Sequence, residues 1–165
     1  MMEALKEKAM LIRLLLTDCD GVLTDNGVYY GENGELLKRF SIRDGMGVER
    51  LRKICSVETG IITGESSPSL VKRAEKLKIT ELHLDIKDKL SALTKILSRL
   101  NLTAQQVAYI GDDVNDLDVI RMIGFSACPS DAMPEVKEQV NYICINKGGD
   151  GAFREFAELL ISLQS

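Results

Sequence analysis

The sequence predicts an α/β fold built on a doubly wound parallel sheet, with a β-hairpin flap and no separate second domain, over residues 1–165. Three observations carry this. Short β-rich runs alternate with helical patterns along the chain, the arrangement that places helices on both faces of a parallel sheet. Runs such as LIRLLLT and VAYI are almost continuously apolar, as strands buried on both faces must be. No low-complexity tract, linker or internal repeat interrupts the alternation, and 45% apolar with 28% charged residues suits one folded core.

The elements follow in order. Residues 11–17 read as the first buried strand, and the segment 28–40 as a hairpin. In that hairpin two β-prone arms flank Glu32-Asn33-Gly34, whose Asn-Gly pair supplies positive φ for a tight turn. Residues 45–54 place Met46, Val48, Leu51 and Ile54 on one side of a helix, and 57–63 form a strand ending in Thr63-Gly64. A helix over 68–77 starts with proline, where the missing N–H costs little. A short strand at 81–84 and an amphipathic helix at 88–100, with leucines at 90, 93, 97 and 100, come next. The rest reads as strand 107–110, helix 115–122, strand 125–128, helix 131–139, strand 142–145 and closing helix 151–163. In such a Rossmann-like sheet, ligands bind beyond the C-terminal strand ends.

Composition excludes several classes. A net charge of −4 offers no basic stripe for nucleic acid or an anionic membrane surface. No apolar run reaches the length of a membrane span, and the N-terminus, MMEALKEKAM, lacks the apolar stretch of a signal peptide. Cys19, Cys55, Cys128 and Cys144 form no C-x-x-C pair, and His83 is the sole histidine, so zinc ligation is not expected. Scattered thiols in apolar runs read as reduced core residues of a cytoplasmic protein. His83 reads as a structural or surface residue.

Chemistry-bearing residues gather at the strand ends. Asp18 and Asp20, in TDCDGVLTD, follow the first strand; two carboxylates so close repel each other unless a cation intervenes. Gly21 lets the backbone turn there. A second acidic group, Asp112, Asp113 and Asp116 in GDDVND, follows VAYI. A helix N-terminus accounts for one or two of these acids, but not for acids at two strand ends. Carboxylate oxygens in this number suit Mg²⁺, which also binds substrate phosphate. Thr63 and Gly64 offer a hydroxyl and open backbone N–H groups for a phosphate. Lys89 opens a helix, where a cation opposes the dipole and needs another reason to be there.

The order D-x-D-G, T-G, K, G-D-D-x-x-x-D resembles the haloacid dehalogenase superfamily. The resemblance implies that Asp18 is a nucleophile forming an aspartyl-phosphate, and that Asp20 is the general acid and then base. It implies Mg²⁺ held by Asp18, the Asp20 carbonyl and Asp112. Thr63, Gly64 and Lys89 would hold the phosphoryl oxygens, Asp113 would orient metal-bound waters or Lys89, and Asp116 would lie behind these residues. Caps of this superfamily lie between the first and third motifs, but 21–62 and 64–88 are already filled by core elements and the hairpin.

DCDGVLTD, YYGENGELLKRF, SIRDGMGV, VAYIGDDVNDLDV and GGDGAFREFAELL together are similar to the cap-less 3-deoxy-D-manno-octulosonate 8-phosphate phosphatases. That likeness implies a homotetramer, joined through its hairpins, in which a neighbouring chain helps close the site. The loop Lys147 to Asp150 is a candidate for reaching across. Arginine usually follows Thr-Gly in those enzymes; here Glu65 does, with Lys76 further on, as in phosphatases of nine-carbon 2-keto-3-deoxynononate and N-acylneuraminate 9-phosphates. Glu65 and Lys76 are thus expected to set substrate preference. Two alternatives are a non-catalytic assembly module, like that fused to animal acylneuraminate cytidylyltransferases, and a phosphoprotein phosphatase with an open site.

Overall fold

The computed structural model describes residues 2–165. Helix α1 (Met2–Leu11) leads into strand β1 (Leu14–Thr17), and a separate hairpin follows, β2 (Tyr29–Gly31) and β3 (Gly34–Leu37). Then come α2 (Ile42–Cys55), β4 (Glu58–Ile62), α3 (Pro68–Leu77), β5 (Glu81–His83) and α4 (Lys89–Leu100). The chain continues through β6 (Val107–Ile110), a 3₁₀ turn (Val114–Asp116), α5 (Leu117–Met122), β7 (Phe125–Cys128), α6 (Pro134–Lys137), β8 (Tyr142–Ile143) and α7 (Ala152–Gln164).

The main sheet runs β5-β4-β1-β6-β7-β8, and every neighbouring pair is parallel. All four residues of β1 are buried, and they alternate between two cores. Leu15 packs with α2, α3 and α7 on one face, through Val48, Leu51, Leu70, Phe153 and Phe156. Leu14 and Leu16 pack with α4, α5 and α6 on the other, through Leu93, Ile96, Val119 and Val136. This is the doubly wound architecture expected, with β1 in the middle.

Several boundaries moved for identifiable reasons. Residue 11 ends α1 rather than beginning β1. The N-terminal helix, unforeseen in the sequence, is tied to α7: the Gln164 amide donates to the carbonyls of Ala9 and Ile12 at 2.7 and 3.1 Å. Helix α2 starts three residues early because the Ser41 hydroxyl accepts the Asp44 N–H and fixes the N-cap. Helix α6 is shorter than 131–139, since Pro134 sets its first turn. No helix among the described residues is long and apolar enough to cross a membrane.

The hairpin is inverted relative to an ordinary surface ribbon. Tyr30 and Leu36 are 71% and 64% exposed, whereas Glu35 and Lys38 turn inward. Gly34 adopts φ +106 at the turn, the positive φ expected of the Asn-Gly pair.

Candidate active site

Thr17 is level with Ile61 on β4 and Ile110 on β6, so the three central strands end together. Asp18, Thr63 and Asp112 therefore emerge at one edge of the sheet. They meet in a cleft of about 170 Å³, lined also by Asp20, Asn26, Gly64 and Glu65.

Asp18 is 6% exposed. Its Oδ1 accepts the Cys19 N–H at 2.7 Å, and its Oδ2 lies 2.9 Å from Lys89 Nζ. Burial pushes its carboxyl up to about 7, aided by the charge of Asp116 and opposed by Lys89. Asp112 is pushed up to about 7 as well, by burial and then by Asp18 and Asp116. Burial alone would lower the Lys89 pKa; Asp18 and Asp116 more than reverse this, and the ammonium stays charged.

Asp116 lies inside the sheet edge, 0% exposed. Its Oδ1 accepts from Lys89 Nζ at 2.7 Å and from the Tyr109 hydroxyl at 2.6 Å. Its Oδ2 accepts the N–H groups of Asp112 and Asp113 at 3.0 and 3.3 Å. Ligand atoms of Asp18, Asp112 and Asp116 lie within 4.8 Å of one another, a spacing that fits one metal ion. Four donors already occupy Asp116, so it is a poor ligand. Asp112 Oδ1 is buried and has no partner, while Asp112 Oδ2 accepts from the Asn26 amide at 3.2 Å. A hard cation between Asp18 and Asp112 would satisfy the orphan oxygen and offset the burial and repulsion that raise both pKa values. The residues present fit Mg²⁺.

Gly21 adopts φ +85, and a Cβ there would collide with the Asp112 carboxylate, which explains the glycine after Asp20. Thr63 is buried at 1% exposure, and its hydroxyl accepts the Glu65 N–H at 3.3 Å, closing the turn that presents Gly64. Glu65 is exposed at the rim of the cleft.

Two expectations change. Asp113 does not reach Lys89: it is exposed, and its carboxylate caps the 3₁₀ turn by accepting the Val114 N–H at 2.6 Å. Asp116 orients Lys89 instead. Lys76 does not join Glu65 within the chain. It lies in the last turn of α3, beside Arg52, Lys53 and Lys78, and a ten-residue helix puts about 15 Å between its ends. The Lys147–Asp150 loop packs through its glycines on residues 21–25 of its own chain. Gly149 N–H donates to the Val22 carbonyl at 2.8 Å, and a Cβ at Gly148 would collide with the Gly21 carbonyl.

Three contributors were not foreseen. Lys38 binds both Asp20 oxygens, at 2.8 and 2.7 Å. Asn26 and Tyr109 hold Asp112 and Asp116. A tyrosine inside an all-apolar strand needs a partner for its hydroxyl, a signal that could have flagged Tyr109.

Residues 64–156 match the haloacid dehalogenase-like hydrolases. The 3-deoxy-D-manno-octulosonate 8-phosphate phosphatase of Yersinia pestis is 40% identical over 158 residues, 96% of this chain and 84% of that one. The chain belongs to the haloacid dehalogenase-like hydrolase family. Among solved structures of the family, the Moraxella catarrhalis 3-deoxy-D-manno-octulosonate 8-phosphate phosphatase, in complex with magnesium ion, phosphate ion and KDO, has a TM-score of 0.95 at 34% identity. That match covers 99% of this chain and 94% of the other. The cobalt-bound Haemophilus influenzae phosphatase gives a TM-score of 0.92 at 36% identity, covering 95% and 91%. In this hydrolase the acidic cleft lies at the C-terminal ends of the central strands.

Proposed function

We propose that this hydrolase is a Mg²⁺-dependent phosphatase acting on the terminal phosphate of a 3-deoxy-2-ulosonic acid phosphate. The observation that carries the reading is the partnerless, buried Asp112 Oδ1 beside an Asp18 carboxylate whose other neighbour is Lys89. Asp18, the Asp20 carbonyl and Asp112 would hold Mg²⁺, which supplies positive charge against the transferring phosphoryl group.

The remaining steps belong to the chain's own residues. Thr63, the Gly64 N–H and Lys89 hold phosphoryl oxygens in line with Asp18. Asp18 attacks phosphorus, the ester P–O bond breaks, and Asp20 donates a proton to the departing alkoxide. Asp20 then takes a proton from water as that water attacks the aspartyl-phosphate, releasing phosphate and restoring Asp18. Asp116 and Tyr109 keep Lys89 fixed throughout.

The eight-carbon octulosonate 8-phosphate is favoured by the relatives at 40% identity. A nine-carbon acid is the second reading, favoured by Glu65 at the cleft rim, where an anion changes which substrate groups are tolerated. Comparing kcat/KM for the two phosphates, in the native protein and in Glu65→Arg, decides between them. A Glu65→Arg shift towards the eight-carbon ester supports Glu65 as the discriminator, and an unchanged ratio removes it.

A homotetramer assembled through the hairpins is part of the proposal, as is a cytoplasmic location. The outward Tyr29, Tyr30, Leu36 and Leu37 form an apolar surface next to the open cleft, and the four unpaired thiols suit a reducing compartment. Tyr30→Ser with Leu36→Ser is expected to yield a monomer on a sizing column; an unchanged elution volume refutes the hairpin interface.

A further inference from the structure

The inverted hairpin has a polar inner face directed at the catalytic loops. Lys38 stands just past β3 with its side chain 1% exposed. Its ammonium grips both oxygens of Asp20 at 2.8 and 2.7 Å. The Thr24 hydroxyl adds a third contact to Asp20 Oδ1 at 3.3 Å. Behind Lys38, Glu35 Oε2 lies 3.6 Å from Nζ, and Glu35 Oε1 accepts the Ser67 hydroxyl at 2.5 Å. Ser67 is the N-cap of α3, which follows directly on the Thr63-Gly64-Glu65 turn. A continuous polar chain, Asp20–Lys38–Glu35–Ser67, thus runs from one wall of the cleft to the other through the hairpin.

We propose that Lys38 is the positioning residue for Asp20. It holds the Asp20 carboxylate at the cleft wall, where the leaving oxygen of the substrate departs, and Glu35 anchors Lys38 to the phosphate-binding turn. This rests on the reading of Asp20 as the group that protonates the leaving alkoxide. A carboxylate on a short, freely turning side chain spends much of its time out of line; two charge-assisted contacts restrict it to one orientation. The hairpin therefore carries a catalytic positioning residue on its inner face in addition to the apolar outer face.

The test compares a primary alkyl phosphate, octulosonate 8-phosphate, with p-nitrophenyl phosphate, whose phenolate departs without a proton. The measure is kcat/KM with Mg²⁺, which reports the steps up to and including ester cleavage. Asp20→Asn establishes the signature of a lost general acid: the alkyl ester suffers by about 100-fold more than the aryl ester. Lys38→Met, of matched length, is expected to show the same selective loss, about 10-fold or more against the alkyl ester, with Lys38→Arg recovering part of it. Equal loss on both esters, or none, in Lys38→Met while Asp20→Asn remains selective overturns the role of Lys38 and leaves Asp20 in place. Absence of selectivity in Asp20→Asn overturns both. Should Lys38→Met not fold, Glu35→Ala carries the test: it releases Lys38 from its anchor, and a selective loss of about threefold supports the proposal, whereas an unselective one contradicts it.

Discussion

Lys89 Nζ sits between two carboxylates, 2.9 Å from Asp18 and 2.7 Å from Asp116, with only 2% of its side chain exposed. A lysine in the first position of a helix opposes the dipole, and this one accepts that cost because two buried acids surround it. Asp88 softens the conflict by capping the same helix, accepting the Ser91 N–H at 2.8 Å.

Removing Lys89 leaves Asp18, Asp112 and Asp116 without a buried counter-charge. Lys89→Met is expected to lower unfolding free energy by about 3 kcal/mol in metal-free buffer, the scale of breaking a buried ion pair. Urea denaturation measures it, and a loss within the scatter of exposed-lysine variants contradicts the charge balance described.

Mg²⁺ binding should appear as stabilisation, because the ion binds the folded acidic cleft and not the unfolded chain. At a free concentration about 100-fold above Kd the gain is about 2.7 kcal/mol, seen as a rise in melting temperature. Asp112→Asn should abolish that rise. Asp113→Asn should retain it, since the Asp113 carboxylate is exposed and caps a turn by accepting the Val114 N–H. Loss of the rise in both variants would make the ligand assignment wrong.

Asp44 gives the fold a pH dependence away from the cleft. It is 2% exposed at the start of α2, with Oδ1 accepting the Arg154 N–H at 2.9 Å and Oδ2 without a partner. Burial raises its carboxyl to about 6 from 3.8, the N–H groups of Arg154 and Gly151 limiting the rise. Between those values the folded chain holds a proton that the unfolded chain has lost, so stability declines as pH rises from 3.8 to about 6. Asn keeps the acceptor and removes the titration. From pH 4 to pH 7 the native protein should lose about 3 kcal/mol relative to Asp44→Asn, read from denaturant curves at each pH. Parallel curves for the two proteins would rule this out.

Much of this architecture was legible in the residues. The bounds of α3, β6 and β7 coincide with the periodic and apolar runs, because proline, glycine and buried-strand composition mark those ends locally. The gathering of Asp18, Thr63 and Asp112 at one sheet edge was legible because Asp18 and Thr63 directly follow such strands and Asp112 lies two residues past one. Helix α1 was not legible: its charges are mixed and its stability comes from α7, far away in sequence. Nor could sequence choose between Asp113 and Asp116, three residues apart in one turn, since backbone geometry alone decides which carboxylate turns inward. Lys38 reads as an ordinary hairpin cation until the ribbon folds with its polar face inward.

Central to the proposed function is attack of Asp18 on phosphorus with Mg²⁺ beside it. The direct measurement is phosphate release from octulosonate 8-phosphate by native protein and Asp18→Asn, each with Mg²⁺ and with EDTA. Turnover is expected only for native protein with Mg²⁺, with Asp18→Asn folded but inactive. Asp18→Asn activity within about tenfold of native, a barrier change of only ~1.4 kcal/mol, or full turnover in EDTA, would contradict it.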